Sequence, residues 1–171
     1  MARVPVIGLA SAAVFFVLDQ LVKRLVVGPW GLTEEGMERE VTSFFLLRNV
    51  HNHGVSLGFL QMGPDKAWVL IALTGAIAVA VVVWMWRETA RADQVALGMI
   101  AGGALGNILD RVRLGYVQDY ANLHFGTWEP FLNFNLADAA ITIGVLVLLA
   151  RALLTREKPR DTRADVEISD A

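Results

Sequence analysis

The chain contains no cysteine, which excludes a disulfide, a thiolate metal site and a cysteine nucleophile. It also lacks an HExxH pair. Its three histidines, His51, His53 and His124, offer only a loose His-x-His spacing, so a metal centre built on them and nearby carboxylates is the weaker reading of that region. Positive charge is not in excess: the net charge is −2, which argues against a nucleic-acid partner. Charged residues make up 19% of the sequence, yet long stretches are free of them. Hydrocarbon cannot solvate charge, so this unevenness is the mark of a membrane protein. No sequence feature calls for a nucleotide, haem or flavin, and no cofactor is expected.

What is present is apolar: 55% of the residues are hydrophobic. A bilayer core of about 30 Å takes roughly 20 helical residues to cross. Four stretches are long enough, at residues 4–27, 67–86, 95–114 and 136–154. The first contains Ala10-Ser11-Ala12, but its apolar run continues beyond that point, so it reads as an uncleaved span. With the N-terminus inside, Arg3, Arg87, Arg91, Arg151, Arg156, Lys158, Arg160 and Arg163 are cytoplasmic. Arg39, Arg48, Lys66 and Arg113 are on the other side, and this bias puts both termini in the cytoplasm. The expectation is an all-α integral membrane fold: a single membrane-embedded domain over residues 1–158, with outer loops at 28–66 and 115–135 and a disordered tail at 159–171. The segment from Glu40 to Asn49 is β-branched and aromatic, predicting a small sheet on the outer surface within the first outer loop. The second outer loop carries Tyr116, Tyr120, Phe125, Trp128, Phe131 and Phe134, which suit a membrane interface.

Ionisable residues inside a span are costly and mark function by default. At about 1.5 Å per residue, Asp19 and Asp110 both fall about 22 Å from the inner boundary, and Asp138 opens the last span about 3 Å below the outer one. Asp119 follows the third span and lies near that same surface. The polar residues of several segments therefore share one level. Helical spacing pairs Asp19 with Lys23, Asn107 with Arg111 and Asn135 with Asp138. Gly54, Gly102, Gly103 and Gly106 are expected to permit close backbone approach.

The run Gly106-Asn107-Ile108-Leu109-Asp110-Arg111 resembles the GNxxDR element of lipoprotein signal peptidases (signal peptidase II). In the same order come Gly115-Tyr116-Val117-Gln118-Asp119-Tyr120, similar to that family's GxVxDF, and Phe134-Asn135-Leu136-Ala137-Asp138, similar to FNxAD. Asp19 and Lys23 match DxxxK of the first span, and Asn52-His53-Gly54-Val55-Ser56-Leu57 approaches NxGxxF. Leu57 and Tyr120 stand where the pattern has phenylalanine, and His51 and His53 lie outside it.

The resemblance implies an aspartic endopeptidase with Asp119 and Asp138 as its catalytic pair. It would cleave the signal peptide from a diacylglyceryl-modified prolipoprotein, on the N-terminal side of the lipidated cysteine. Neighbouring carboxylates share a proton, so one can activate water while the other protonates the scissile carbonyl. Asp110 and Asp19 sit beside Arg111 and Lys23, cations that suit them to a structural role. Asn52, Gly54, Asn107, Arg111 and Asn135 are the expected dyad-supporting or substrate-binding residues. The setting implied is a monomer in the bacterial inner membrane, among lipid, with its site near the periplasmic face. The competing class is an ion or proton carrier using the intramembrane Asp, Lys and Arg residues. Carriers tend to build midplane sites between internal repeats, and no repeat is visible here.

Overall fold

A computed structural model describes residues 4–54, 67–129 and 133–154. The elements run α1 (Val6–Val27), β1 (Glu38–Thr42), β2 (Phe45–Asn52), α2 (Ala67–Arg87), α3 (Arg91–Leu114), β3 (Val117–Leu123) and α4 (Leu136–Leu154). All four helices are long and apolar enough to cross a membrane. They fall on the four expected spans, the largest difference being at α3. That helix begins at Arg91, ahead of its apolar run, and Asp93 in its first turn forms an ion pair with Arg151 of α4.

Helix α3 is the hub, packed against α1, α2 and α4. Between lipid-embedded helices there is no hydrophobic drive, so close van der Waals packing over small residues must hold them together. Two of the expected glycines show how tight the fit is. A Cβ on Gly103 would lie 2.5 Å from the carbonyl oxygen of Ala137 in α4, and one on Gly106 would lie 2.5 Å from Oδ2 of Asp19 in α1. The outward faces stay apolar and exposed, through Val14, Val17 and Leu21 on α1, Ile77 and Val79 on α2, and Leu146 and Leu149 on α4. Those are the faces a bilayer would cover.

At one end of the bundle lies an antiparallel sheet of order β1-β2-β3. The expected sheet is there, but its third strand comes from the second loop, residues 115–135, which the sequence alone presents as connecting loop. The strand Val117–Leu123 is buried along almost its whole length on both faces, and it interleaves Gln118, Asp119 and Asn122 with apolar residues. A period-two alternation of apolar and polar residues was therefore missing. Gly115 makes the short connection to this strand possible. It holds φ at +82°, closes α3 with its N–H on the Arg111 carbonyl at 3.1 Å, and turns the chain straight into β3.

Val26, Leu32, Leu47, Tyr120 and Ala121 form the cluster that seats the sheet on the end of α1. The loop aromatics divide accordingly. Tyr120 is buried and Tyr116 stacks on His51, whereas Phe125 and Trp128 are exposed as an interfacial pair would be. Phe131 and the expected tail at 159–171 lie outside the described residues.

Replacing Gly103 with alanine forces α3 and α4 apart against backbone and is expected to cost about 1–3 kcal/mol. Gly75→Ala on α2, where nothing lies within 4 Å of the added methyl, is the control and is expected to be neutral or slightly stabilising. Thermal unfolding of the detergent-solubilised protein distinguishes the two.

Candidate active site

The site grows from the first turn of α4. The opening N–H groups of a helix have no partner within it and must find acceptors elsewhere. Here each is met by a different side chain. The Leu136 N–H donates to the Tyr120 hydroxyl at 3.1 Å, the Ala137 N–H to Oδ1 of Asp19 at 3.0 Å, and the Asp138 N–H to Oδ1 of Asn135 at 2.9 Å. Asn135 is thus the N-cap, and the expected Asn135–Asp138 pairing is this capping bond.

Because its oxygen is committed to the cap, the Asn135 amide must turn its nitrogen the other way. That nitrogen donates to Oδ1 of Asp119 on β3 at 2.6 Å, and to Oδ1 of Asn107 on α3 at 3.2 Å. Asn52, near the end of β2, donates to the second Asp119 oxygen at 2.9 Å. The register that pairs Val50 with Asp119 sets Asn52 beside it. Asn107 in turn donates to Oδ1 of Asp138 at 2.8 Å. Asp119 and Asp138, expected as a pair, are therefore joined through one relay of two amides. Asp119 is 1% exposed, and burial pushes its carboxyl up to about 7, with the charge of Asp138 adding to the rise. Among the described residues, Oδ2 of Asp138 is buried and has no hydrogen-bond partner.

Behind the amides is a buried ion cluster. Lys23 of α1 lies 2.8 Å from Oδ2 of Asp19 and 2.7 Å from Oδ2 of Asp110. Its ammonium also donates to Oδ1 of Asn107 at 3.3 Å. A cation at that oxygen fixes the amide so that its nitrogen faces Asp138. The Asp19–Lys23 pairing is as expected from spacing. Asp110 differs: its cation is Lys23 of another helix, not its chain neighbour Arg111, since successive residues on a helix do not face each other.

The expected Asn107–Arg111 pairing is also absent. Asn107 is drawn to the charged groups on α1 and α4, and Arg111 donates instead to the Gly54 carbonyl at 2.8 Å. That bond, with the Gly54 N–H on Oδ1 of Asn52 at 2.9 Å, anchors the end of β2 where the chain leaves the sheet. Leu57 lies outside the described residues.

Three contributors were not legible as site residues. Gln20 bridges Asp19 and Asp110 at 3.2 and 3.0 Å, and its only signal was its place between Asp19 and Lys23. The Gln118 N–H donates to Asp110 at 3.3 Å, a backbone role no side chain advertises. The Tyr120 hydroxyl is the third. The histidines do other things: His51 stacks on Tyr116 at 3.8 Å with Nδ1 3.5 Å from Glu35, and His53 meets the edge of that ring. The His124 N–H donates to the Phe44 carbonyl at 3.0 Å.

The family model for signal peptidase (SPase) II matches residues 11–154, which takes in every element except the first turn of α1. The chain belongs to the signal peptidase II family. Among relatives, the lipoprotein signal peptidase of Rhizorhabdus wittichii is 55% identical over 152 residues, covering 88% of either chain. That of Sphingopyxis alaskensis is 54% identical, covering 88% of this chain and 87% of its own. Two solved bacterial membrane enzyme structures, both obtained by the in meso method, share the fold. At 26% and 28% identity each superposes with a TM-score of 0.70 over 88% of this chain, and over 92% and 94% of its own. As a signal peptidase II family member the chain is a peptidase, hence a hydrolase, and a multi-pass membrane protein.

In this signal peptidase II homologue, Lys23→Met leaves Asp19 and Asp110 buried without their cation. Breaking a buried ion pair from one side costs about 3–5 kcal/mol. The single variant is expected to lower the melting temperature sharply, and adding Asp110→Asn to recover part of the loss.

Proposed function

We propose that the protein is an inner-membrane aspartic endopeptidase that removes the signal peptide from diacylglyceryl-modified prolipoproteins, with Asp119 and Asp138 as its catalytic pair. The observation that carries this reading is the amide relay, which ties two carboxyls from separate elements into one buried site. Burial and mutual charge make double ionisation costly, so the pair holds one proton up to about pH 7. The ionised carboxylate takes a proton from water as the water oxygen bonds to the scissile carbonyl carbon. The protonated carboxyl gives its hydrogen to the carbonyl oxygen. Collapse of the tetrahedral intermediate breaks the C–N bond, and the amine leaves with a proton returned from the pair. No acyl-enzyme forms.

Asn52, Asn107 and Asn135 hold the pair, and Arg111 with Gly54 secures the strand end against which an extended peptide can lie. The site sits at the sheet end of the bundle, supporting a periplasmic placement with both termini cytoplasmic. A diacylglyceryl group on the cysteine would keep the scissile bond at that depth, with its acyl chains in surrounding lipid. A carrier role receives no support from this geometry, because the cluster of Asp19, Lys23, Asp110, Asp119 and Asp138 gathers toward the sheet end of the bundle and not at its middle.

The test uses purified enzyme with a diacylglyceryl-modified precursor. Asp119→Asn and Asp138→Asn are each expected to abolish cleavage while leaving the protein folded, since an amide carries no transferable proton. The unlipidated precursor should be cut poorly; equal cutting would remove the lipid from the specificity.

The pH dependence follows from Asp119. Its carboxyl is raised from the usual carboxylate range to about 7, so below that pH the pair retains its proton and above it the general acid is lost. Cleavage is expected to fall as pH rises through about 7, tenfold per unit at the limit. Initial rates across pH 5–9, at saturating substrate, check this.

A further inference from the structure

Tyr120 stands where the motif pattern has phenylalanine, and its hydroxyl takes the Leu136 N–H at the start of α4. This matters because of where Asp138 is. It is the third residue of α4, and an acidic side chain at that position ordinarily folds back onto the free N–H groups of the first turn. Here those groups are already taken, by Tyr120, Asp19 and Asn135. The Asp138 carboxyl is left to face Asn107 with one oxygen, and its other oxygen is buried and unpartnered among the described residues.

The geometry points to Tyr120 as a positioning residue for peptide cleavage: by occupying the Leu136 N–H, its hydroxyl keeps that donor from capturing the free oxygen of Asp138. The inference rests on Asp138 being a member of the reacting pair. Without the hydroxyl, Leu136 presents an unmet N–H two residues from a carboxylate oxygen that has no partner among the described residues. A half-buried donor in that state recruits an acceptor within reach. The captured oxygen is then held by a backbone dipole, which draws the carboxyl and its charge away from Asp119. The charged groups around the pair (Lys23 and Asp19 on α1, Asp110 and Arg111 on α3, Asp119 on β3) are unchanged by this event. The ring itself is seated independently, in the cluster with Val26, Leu32, Leu47 and Ala121, so a phenyl ring can replace it in place.

Tyr120→Phe, assayed in the full-length enzyme on the lipidated precursor, is expected to lower kcat by about three- to tenfold, the scale of one hydrogen bond, with KM unchanged. The alkaline limb of its pH profile should move to lower pH. Leu136→Pro supplies the second arm. Proline is well accommodated at the first position of a helix and has no N–H to leave unmet. In the Leu136→Pro background, Tyr120→Phe should therefore have no further effect on kcat or on the limb. Three results overturn the proposal: Tyr120→Phe with an unmoved pH profile, an equal kcat loss with and without the proline, or a change confined to melting temperature. Loss of all cleavage of the lipidated precursor by the otherwise unaltered enzyme would instead count against the peptidase reading itself.

Discussion

The amide of Asn135 has one orientation available to it, and much of the site follows from that. Its oxygen closes the first turn of α4 by accepting the Asp138 N–H, so its nitrogen must point toward Asp119 and Asn107. A helix end packed within the bundle cannot leave its N–H groups unmet, because a buried donor without an acceptor is costly. The requirement that stabilises α4 is therefore the same one that aligns the donor on Asp119. The geometry of the proposed catalytic pair and the capping of α4 share a single side chain.

Around this amide the polar groups are arranged in tiers. Lys23 sits between Asp19 and Asp110 and reaches Asn107, whose nitrogen it thereby directs to Asp138. The buried charges of α1 thus act on the pair through an amide and not by contact. Such a cluster is weak as a source of net stability, since desolvation offsets most of its attraction, but breaking it from one side is costly. Its value here is in fixing which way neutral amides face. The glycines of α3 permit this, because the helices must approach closely enough for a lysine on α1 to touch groups on α3.

Much of this was legible in the sequence, for physical reasons that differ by residue. The four spans were plain because lipid excludes charge. Asp19, Lys23, Asn107, Asp110 and Asp138 were conspicuous as the exceptions, and their common depth could be read from helical rise. Asp119 and Asn135 lie outside the apolar runs and needed the motif order to single them out. What could not be read were contacts set by tertiary direction. Asp110 and Arg111 are neighbours in sequence but point to different elements, and the strand Val117–Leu123 hides its β character because both its faces are covered. Tyr120 resembled an interfacial aromatic, and its burial and its hydroxyl's place at the start of α4 show otherwise.

The proposed chemistry depends on one proton divided between Asp119 and Asp138. Carbon-13 aspartate spectra of the protein in lipid nanodiscs, recorded across pH with each residue assigned by substitution, measure that directly. The Asp119 carboxyl is expected to titrate near 7 in the unaltered protein, and at clearly lower pH once Asp138 is asparagine. Two carboxyls titrating independently in the ordinary range near 4, each indifferent to loss of the other, would contradict it.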